Sequence, residues 1–163
     1  MKIKSVYGLL IILTLVFCLS VAPSATAASD EEEVLRVMTT WFKAFNSNDY
    51  ELMSSLHWHS AETSFFGPGN TNAFLTRGWD QIAEGLKSTL DQPVGTISNS
   101  YHNMHVMMLG DNVAIVTEYS IQTINPPLVA EQRILHLRGT QVLKKIDGKW
   151  QLVHLHWSPM PTE

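Results

Sequence analysis

Beyond residue 27 the chain has no cysteine, because its single one, Cys18, lies in the N-terminal apolar run. The folded part therefore has no disulfide and no thiolate to serve as nucleophile or metal ligand. Basic residues are scarce as well. With Lys2 and Lys4 set aside, nine basic side chains stand against fifteen acidic ones, a net charge of −6. An acidic chain without a basic stripe lacks the phosphate neutralisation that supplies most nucleic-acid affinity, so nucleic acid is excluded as a partner. After the first 27 residues no apolar stretch approaches the ~20 residues of a membrane span. Repeats, low-complexity tracts and long linkers are also missing, which leaves no internal domain boundary.

The N-terminus has a pattern of its own. Lys2 and Lys4 precede the almost wholly apolar stretch from Tyr7 to Val21, and Ala25-Thr26-Ala27 offers small residues at both positions a signal peptidase reads. The pattern predicts a secretory signal peptide over 1–27 and a mature chain, 28–163, that is secreted or periplasmic and free of the membrane once cleaved. A mature chain of this length suits one domain that buries roughly two thirds of its unfolded surface.

Asp30-Glu31-Glu32-Glu33 places negative charge where a helix N-terminus favours it. Val34, Val37, Met38, Trp41, Phe42 and Phe45 then recur at helical spacing, giving one broad apolar stripe. Tyr50 to Leu56 reads as a short second helix, His57 to Phe66 as extended chain, and Trp79 to Leu90 as a third helix. Four β segments follow, near 96–109, 112–123, 131–145 and 149–157, with turns at Gly110-Asp111, Asn125-Pro-Pro127 and Asp147-Gly148. Helices first and a meander afterwards predict an α+β fold, a curved antiparallel sheet with the N-terminal helices on its concave face.

Turn chemistry sets expectations for register. A three-residue loop at Gly110-Asp111-Asn112 pairs Met107 with Ile115, His105 with Thr117 and Asn103 with Tyr119. A three-residue loop at Ile146-Asp147-Gly148 pairs Leu143 with Gln151, Gln141 with Val153 and Leu137 with Trp157, whereas a two-residue loop inverts that parity. On the three-residue reading, odd-numbered residues share one face, among them Tyr101, Asn103, His105, Thr117, Tyr119, Gln141 and Trp157. That set is apolar with a polar centre, like a pocket wall. The even-numbered set is too apolar to face water freely, which predicts a homodimer through the sheet.

Trp41-Phe-Lys-Ala-Phe-Asn, Phe65-Phe-Gly-Pro and the long meander resemble the nuclear transport factor 2-like superfamily, and its SnoaL-like branch in particular. Asn103-Met-His-Val, Gly139-Thr-Gln-Val, Asp147-Gly-Lys-Trp and Val153-His-Leu-His-Trp-Ser158 resemble the association domain of calcium/calmodulin-dependent protein kinase. The resemblance covers nearly all of 28–163 and implies a cone open at one end, commonly paired sheet to sheet. It leaves function open, because this fold carries isomerases, cyclases, dehydratases, binding modules and oligomerisation hubs. Positions where the association domain holds pocket arginines correspond here to Tyr119, Gln141 and Trp157. No residue of the expected pocket strands is Asp or Glu, so an acidic catalytic base is not expected either.

On this reading His105 is the candidate general base, with Tyr119 donating to a developing oxyanion. Tyr101, Asn103, Thr117, Gln141, Trp157, Trp41 and Phe45 are the candidate ligand-binding residues. A structural histidine bonded to its neighbours is the plainer account of His105. His154 and His156 share a strand face at chelating spacing, yet packing in an interface explains them, and neither a metal nor a cofactor is expected. Ser158 lacks a His–carboxylate partner for nucleophilic work. Two functions follow. One is an exported protein that binds a small apolar molecule and possesses a base for proton transfer. The other is a non-catalytic association domain with an incidental cavity. A cavity plugged by Trp157, Phe42 and Met107 favours the second.

Overall fold

The computed structural model describes residues 28–67 and 75–161. The expected signal peptide lies outside them. Helix α1, Asp30–Asn46, opens on a capping box in which Ser29 and Glu32 satisfy each other's backbone N–H groups. Its stripe buries Val34, Met38, Trp41, Phe42, Ala44 and Phe45. Helix α2, Tyr50–Ser55, is capped by Asp49, whose side chain accepts from Leu52 N. Helix α3, Trp79–Leu90, buries Ile82, Leu86 and Leu90, the three apolar positions expected of it.

Strands β3 (Ile97–Met108), β4 (Val113–Ile124), β5 (Arg133–Ile146) and β6 (Lys149–Pro159) form the antiparallel meander. Two short strands, β1 (Ser64–Phe66) and β2 (Leu75–Arg77), complete a six-stranded sheet in the order β2-β1-β6-β5-β4-β3. The α+β class holds, and the sheet is mixed because β1 runs parallel to β6, with Phe65 opposite Leu155.

Three local features decide which side chains face the core. The Asp147-Gly148 turn is a two-residue loop with both φ values positive (50° and 76°), a conformation that suits Asp-Gly. It pairs Ile146 with Lys149 and Leu143 with Leu152, so the expected pairing of Leu143 with Gln151 is corrected. A bulge at Val153 then restores odd-with-odd pairing, with Gln141 opposite Leu155 and Gly139 opposite Trp157. At the other hairpin Met107 meets Ile115 and His105 meets Thr117, as expected. A second bulge interrupts that ladder at Asn103, where φ is +51°, so Tyr119 lies opposite His102 instead of Asn103.

The join between the hairpins is the decisive one. β4 and β5 pair Val116 with Gln141, Glu118 with Gly139 and Ser120 with Leu137. Even-numbered residues of β4 therefore share the inner face with odd-numbered residues of β5. Ala114, Val116, Glu118 and Ser120 are buried with Leu137, Gln141 and Leu143. The expectation that odd-numbered residues of all four strands share one face is therefore corrected, and so are the pairings of Gln141 with Val153 and Leu137 with Trp157.

Candidate functional site

Facing α1, the inner side of the sheet forms an aromatic lining. Trp41 stacks on Trp157 with ring centroids 5.0 Å apart, and Phe45 stacks on Trp41 at 5.4 Å. Phe65 closes on Trp157 at 5.7 Å, and Phe42 meets Tyr101 at 4.8 Å. Trp41, Trp157, Phe45 and Phe65 surround a cavity of about 40 Å³ whose wall also includes Leu137, Asn99 and Gln122. That is far below the ~300 Å³ of an ordinary ligand pocket and amounts to about three water volumes. The tryptophans fill the cone.

Behind Trp157 lies a buried carboxyl. Glu118 extends over Gly139, where an added Cβ would stand 1.9 Å from Glu118 Oε1 and 2.6 Å from Gln141 Nε2. Trp157 Nε1 donates to Glu118 Oε1 at 2.6 Å, and Gln141 Nε2 donates to the same oxygen at 3.0 Å. Burial pushes this carboxyl above the usual carboxylate range, against the pull of those two hydrogen bonds. Ser120 Oγ approaches it without meeting hydrogen-bond geometry. Glu118 Oε2, Gln141 Oε1, Ser120 Oγ and Trp41 Nε1 are all buried without a hydrogen-bond partner. Buried polar atoms are normally paired, so four orphans lining one end of a core are unusual.

Of the residues singled out from sequence, Tyr101, Gln141, Trp157, Trp41 and Phe45 lie on this inner side. His105, Thr117 and Tyr119 do not. They project from the outer face, where His105 and Thr117 are exposed and Tyr119 hydrogen-bonds His136. The expectation that His105 and Tyr119 act together in the pocket is corrected, because the phase of β4 against β5 turns both outward. Asn103 is exposed on the bulge, and Met107 is 51% exposed. The statement that no carboxylate faces the pocket is overturned by Glu118. Gly139 was the available signal, since a glycine inside a strand often marks a close approach.

The outer face is chemically different. Along the four long strands Glu118 is the sole carboxylate, and it points inward. The outer side bears His102, His105, His136, His154 and His156 with Met107, Ile115, Tyr119 and Val142 between them. Ser64 Oγ hydrogen-bonds His154 Nδ1 at 2.8 Å, and Phe66 packs edge-on against His154 and His156. Burial followed by the neighbouring His156 depresses the His154 pKa. Among the described residues no group of three or more His, Cys, Asp or Glu is placed to hold a metal ion, and no helix is long and apolar enough to cross a membrane.

The two histidines before β1 separate. His57 is 1% exposed, shares Nδ1 with the Met53 carbonyl at 2.9 Å and lies against Trp79. Burial drives its pKa down to about 4. His59 is exposed and stacks on Trp79 at 4.1 Å. His57 is therefore a neutral core residue.

Comparison with known proteins follows this geometry. A family model described as the SnoaL-like domain matches residues 34–163. The delta subunit of rabbit calcium/calmodulin-dependent protein kinase type II is 27% identical over 164 residues, spanning 88% of this chain and 27% of the kinase subunit. A nuclear transport factor 2-like protein from Salmonella enterica superposes with a TM-score of 0.70 at 24% identity, covering 81% of this chain and 92% of its own. The association domain of the Caenorhabditis elegans kinase superposes at 0.61 and 22% identity, covering 78% and 94%. At such identities the structures establish the fold, and no chemistry passes with it.

Proposed function

The chain belongs to the SnoaL-like family, whose fold binds ligands in some proteins and assembles copies in others, and on that premise we propose that it is an exported association module whose copies pack through the outer face of the sheet. The observation that carries this reading is that face. Four strands of 11 to 14 residues present it, and no described element covers it. At ~3.3 Å per residue and ~4.8 Å between strands it spans roughly 750 Å². A standard interface buries ~800 Å² per partner. The face has no carboxylate, its fixed charges are Arg138 and Lys144 on β5, and the rest is imidazole, hydroxyl and apolar surface. The association-domain relatives support the same reading. Sedimentation of the mature protein over a range of concentrations tests it: a dimer or larger assembly is expected, and a monomer throughout contradicts it. The N-terminal sequence of protein recovered from its own host tests export, with Ala28 expected as the first residue.

A second reading is favoured by the four unpartnered buried atoms at the inner end of the cone. There the protein also holds a small molecule, and the interior group able to exchange a proton is Glu118 in place of His105. Native mass spectrometry of protein from its own host tests this, since a ligand released on denaturation is expected.

A further inference from the structure

Imidazole is the recurrent titratable group of the outer face. His102 and His105 come from β3, His136 from β5, and His154 and His156 from β6. Register puts them on one side of the sheet. His102 lies opposite Tyr119, His105 opposite Thr117, His136 opposite Ile121, His154 opposite Val142 and His156 opposite Thr140. The first three are exposed and the last two half-buried. Their contacts are neutral. Tyr119 hydrogen-bonds His136, and its ring lies 5.9 Å from those of both His102 and His136. The Ser64 hydroxyl holds His154. Among the described residues no histidine forms an ion pair.

The charged groups around these rings have one sign. Arg138 lies opposite both Tyr119 and Ser158, and Lys144 opposite Gln151. At the margins stand Arg77 of β2, opposite Ser64, and Lys149, the first residue of β6. The carboxylates of the connecting turns, Asp111, Glu131 and Asp147, fall beyond the strand ends. A proton taken up by any of the rings therefore adds charge that nothing on the face offsets. Burial, and then His156, already hold the His154 pKa down, and a covering partner buries that ring further.

Imidazole gains its charge near pH 6.5, so the face changes character within a narrow range. With neutral rings it buries at low cost. With charged rings, a two-fold contact sets the patch against itself, cation facing cation. Desolvating unpaired charge and juxtaposing like charges both cost free energy.

We propose that assembly through this face is gated by protons, the copies associating while the imidazoles are neutral and separating when mild acid charges them. The inference rests on the association reading above and supplies its regulation. Dissociation takes up protons, so association is strongest above pH 7.5 and weakens as pH falls through 6.5. Each imidazole that must shed a proton on assembly weakens association about tenfold between pH 7.5 and 5.5, and about a hundredfold when both copies contribute it.

The test is sedimentation of the mature protein at pH 7.5, 6.5 and 5.5 at constant ionic strength, with circular dichroism in the same buffers to follow folding. The expected result is a Kd at least about a hundredfold higher at pH 5.5 than at pH 7.5. The folded spectrum should persist, and assembly should return when pH 7.5 is restored. Two double variants, His102→Gln with His105→Gln on β3 and His154→Gln with His156→Gln on β6, keep a polar side chain without the proton site. Each should assemble at pH 7.5 and lose at least about tenfold of the pH dependence. If neither variant assembles, calorimetry of wild-type dissociation at pH 6.5 in buffers of different ionisation enthalpy carries the same test, with proton uptake expected. Equal Kd values at pH 7.5 and 5.5, or tighter assembly in acid, overturn the gate and leave the association reading standing. A monomer at every pH overturns both. An undiminished pH dependence in both variants, or dissociation accompanied by loss of the folded spectrum, overturns the assignment to these histidines.

Discussion

The two faces of one sheet differ in what they demand. The inner face is crowded, aromatic and short of hydrogen-bond partners, and its carboxyl is seated over a glycine because nothing larger fits. The outer face is open, rich in imidazole and free of carboxylates. Alternation along each strand separates them, so adjacent residues such as Glu118 and Tyr119 belong to different environments. A substitution inside should act on folding and on the buried polar cluster. A substitution outside should leave folding alone and act between molecules.

The largest effect is expected at Trp41, which stacks on both Trp157 and Phe45 and forms a wall of the cavity. Trp41→Ala should cost about 3–5 kcal/mol in urea unfolding. A loss below ~1 kcal/mol would mean that the inner face is loosely packed.

Acid should come next, through His57. Its folded pKa of about 4 lies below the ordinary 6.5, so the unfolded chain binds the extra proton first. The contribution of neutral His57 is intact above pH 6.5, declines as pH falls towards 4 and is then fully lost, about 3 kcal/mol in all. Glu118 acts in the opposite sense. With its folded pKa raised, its contribution is intact below the unfolded value and is lost as pH rises through the folded one. Urea midpoints between pH 7 and 4 should fall in the wild type and fall much less in His57→Leu. Parallel curves would show that another group carries the acid limb.

A smaller loss is expected at Gly139. Alanine there forces its Cβ into Glu118 and Gln141, and moving them should cost about 1–3 kcal/mol. The Trp157 indole N–H signal should move as its acceptor is displaced. An unchanged signal would show that Glu118 is not seated over this glycine.

The sequence was most legible where local chemistry decides the outcome. Helical periodicity located the α1 stripe and the Ile82, Leu86, Leu90 ridge. The Gly110 loop located the pairing of His105 with Thr117. Where single residues adjust the ladder, it was less so. Asn103 in a left-handed conformation and the Val153 bulge each shift register by one, and nothing in composition announces them. The eight residues from Asn125 to Gln132 leave the phase of β4 against β5 free. In β4 the alternatives were Ile115, Thr117, Tyr119, Ile121 or Ala114, Val116, Glu118, Ser120. The first looks more like a core, yet the second is buried, because Gly139 makes room for Glu118 and Gln141 and Trp157 give it donors. Strand β1 falls within the stretch read as extended, whereas β2 was missed because a three-residue strand carries little pattern of its own.

The most direct test of the division between faces is light scattering on mature wild type and Thr117→Arg, alongside their thermal unfolding at a concentration where both are monomeric. Thr117 lies in the middle of the outer face, exposed and opposite His105. The expected result is an assembled wild type, a monomeric variant and monomer stabilities within about 0.5 kcal/mol of each other. An assembled variant, or a monomeric wild type, would contradict the assignment of this face to association.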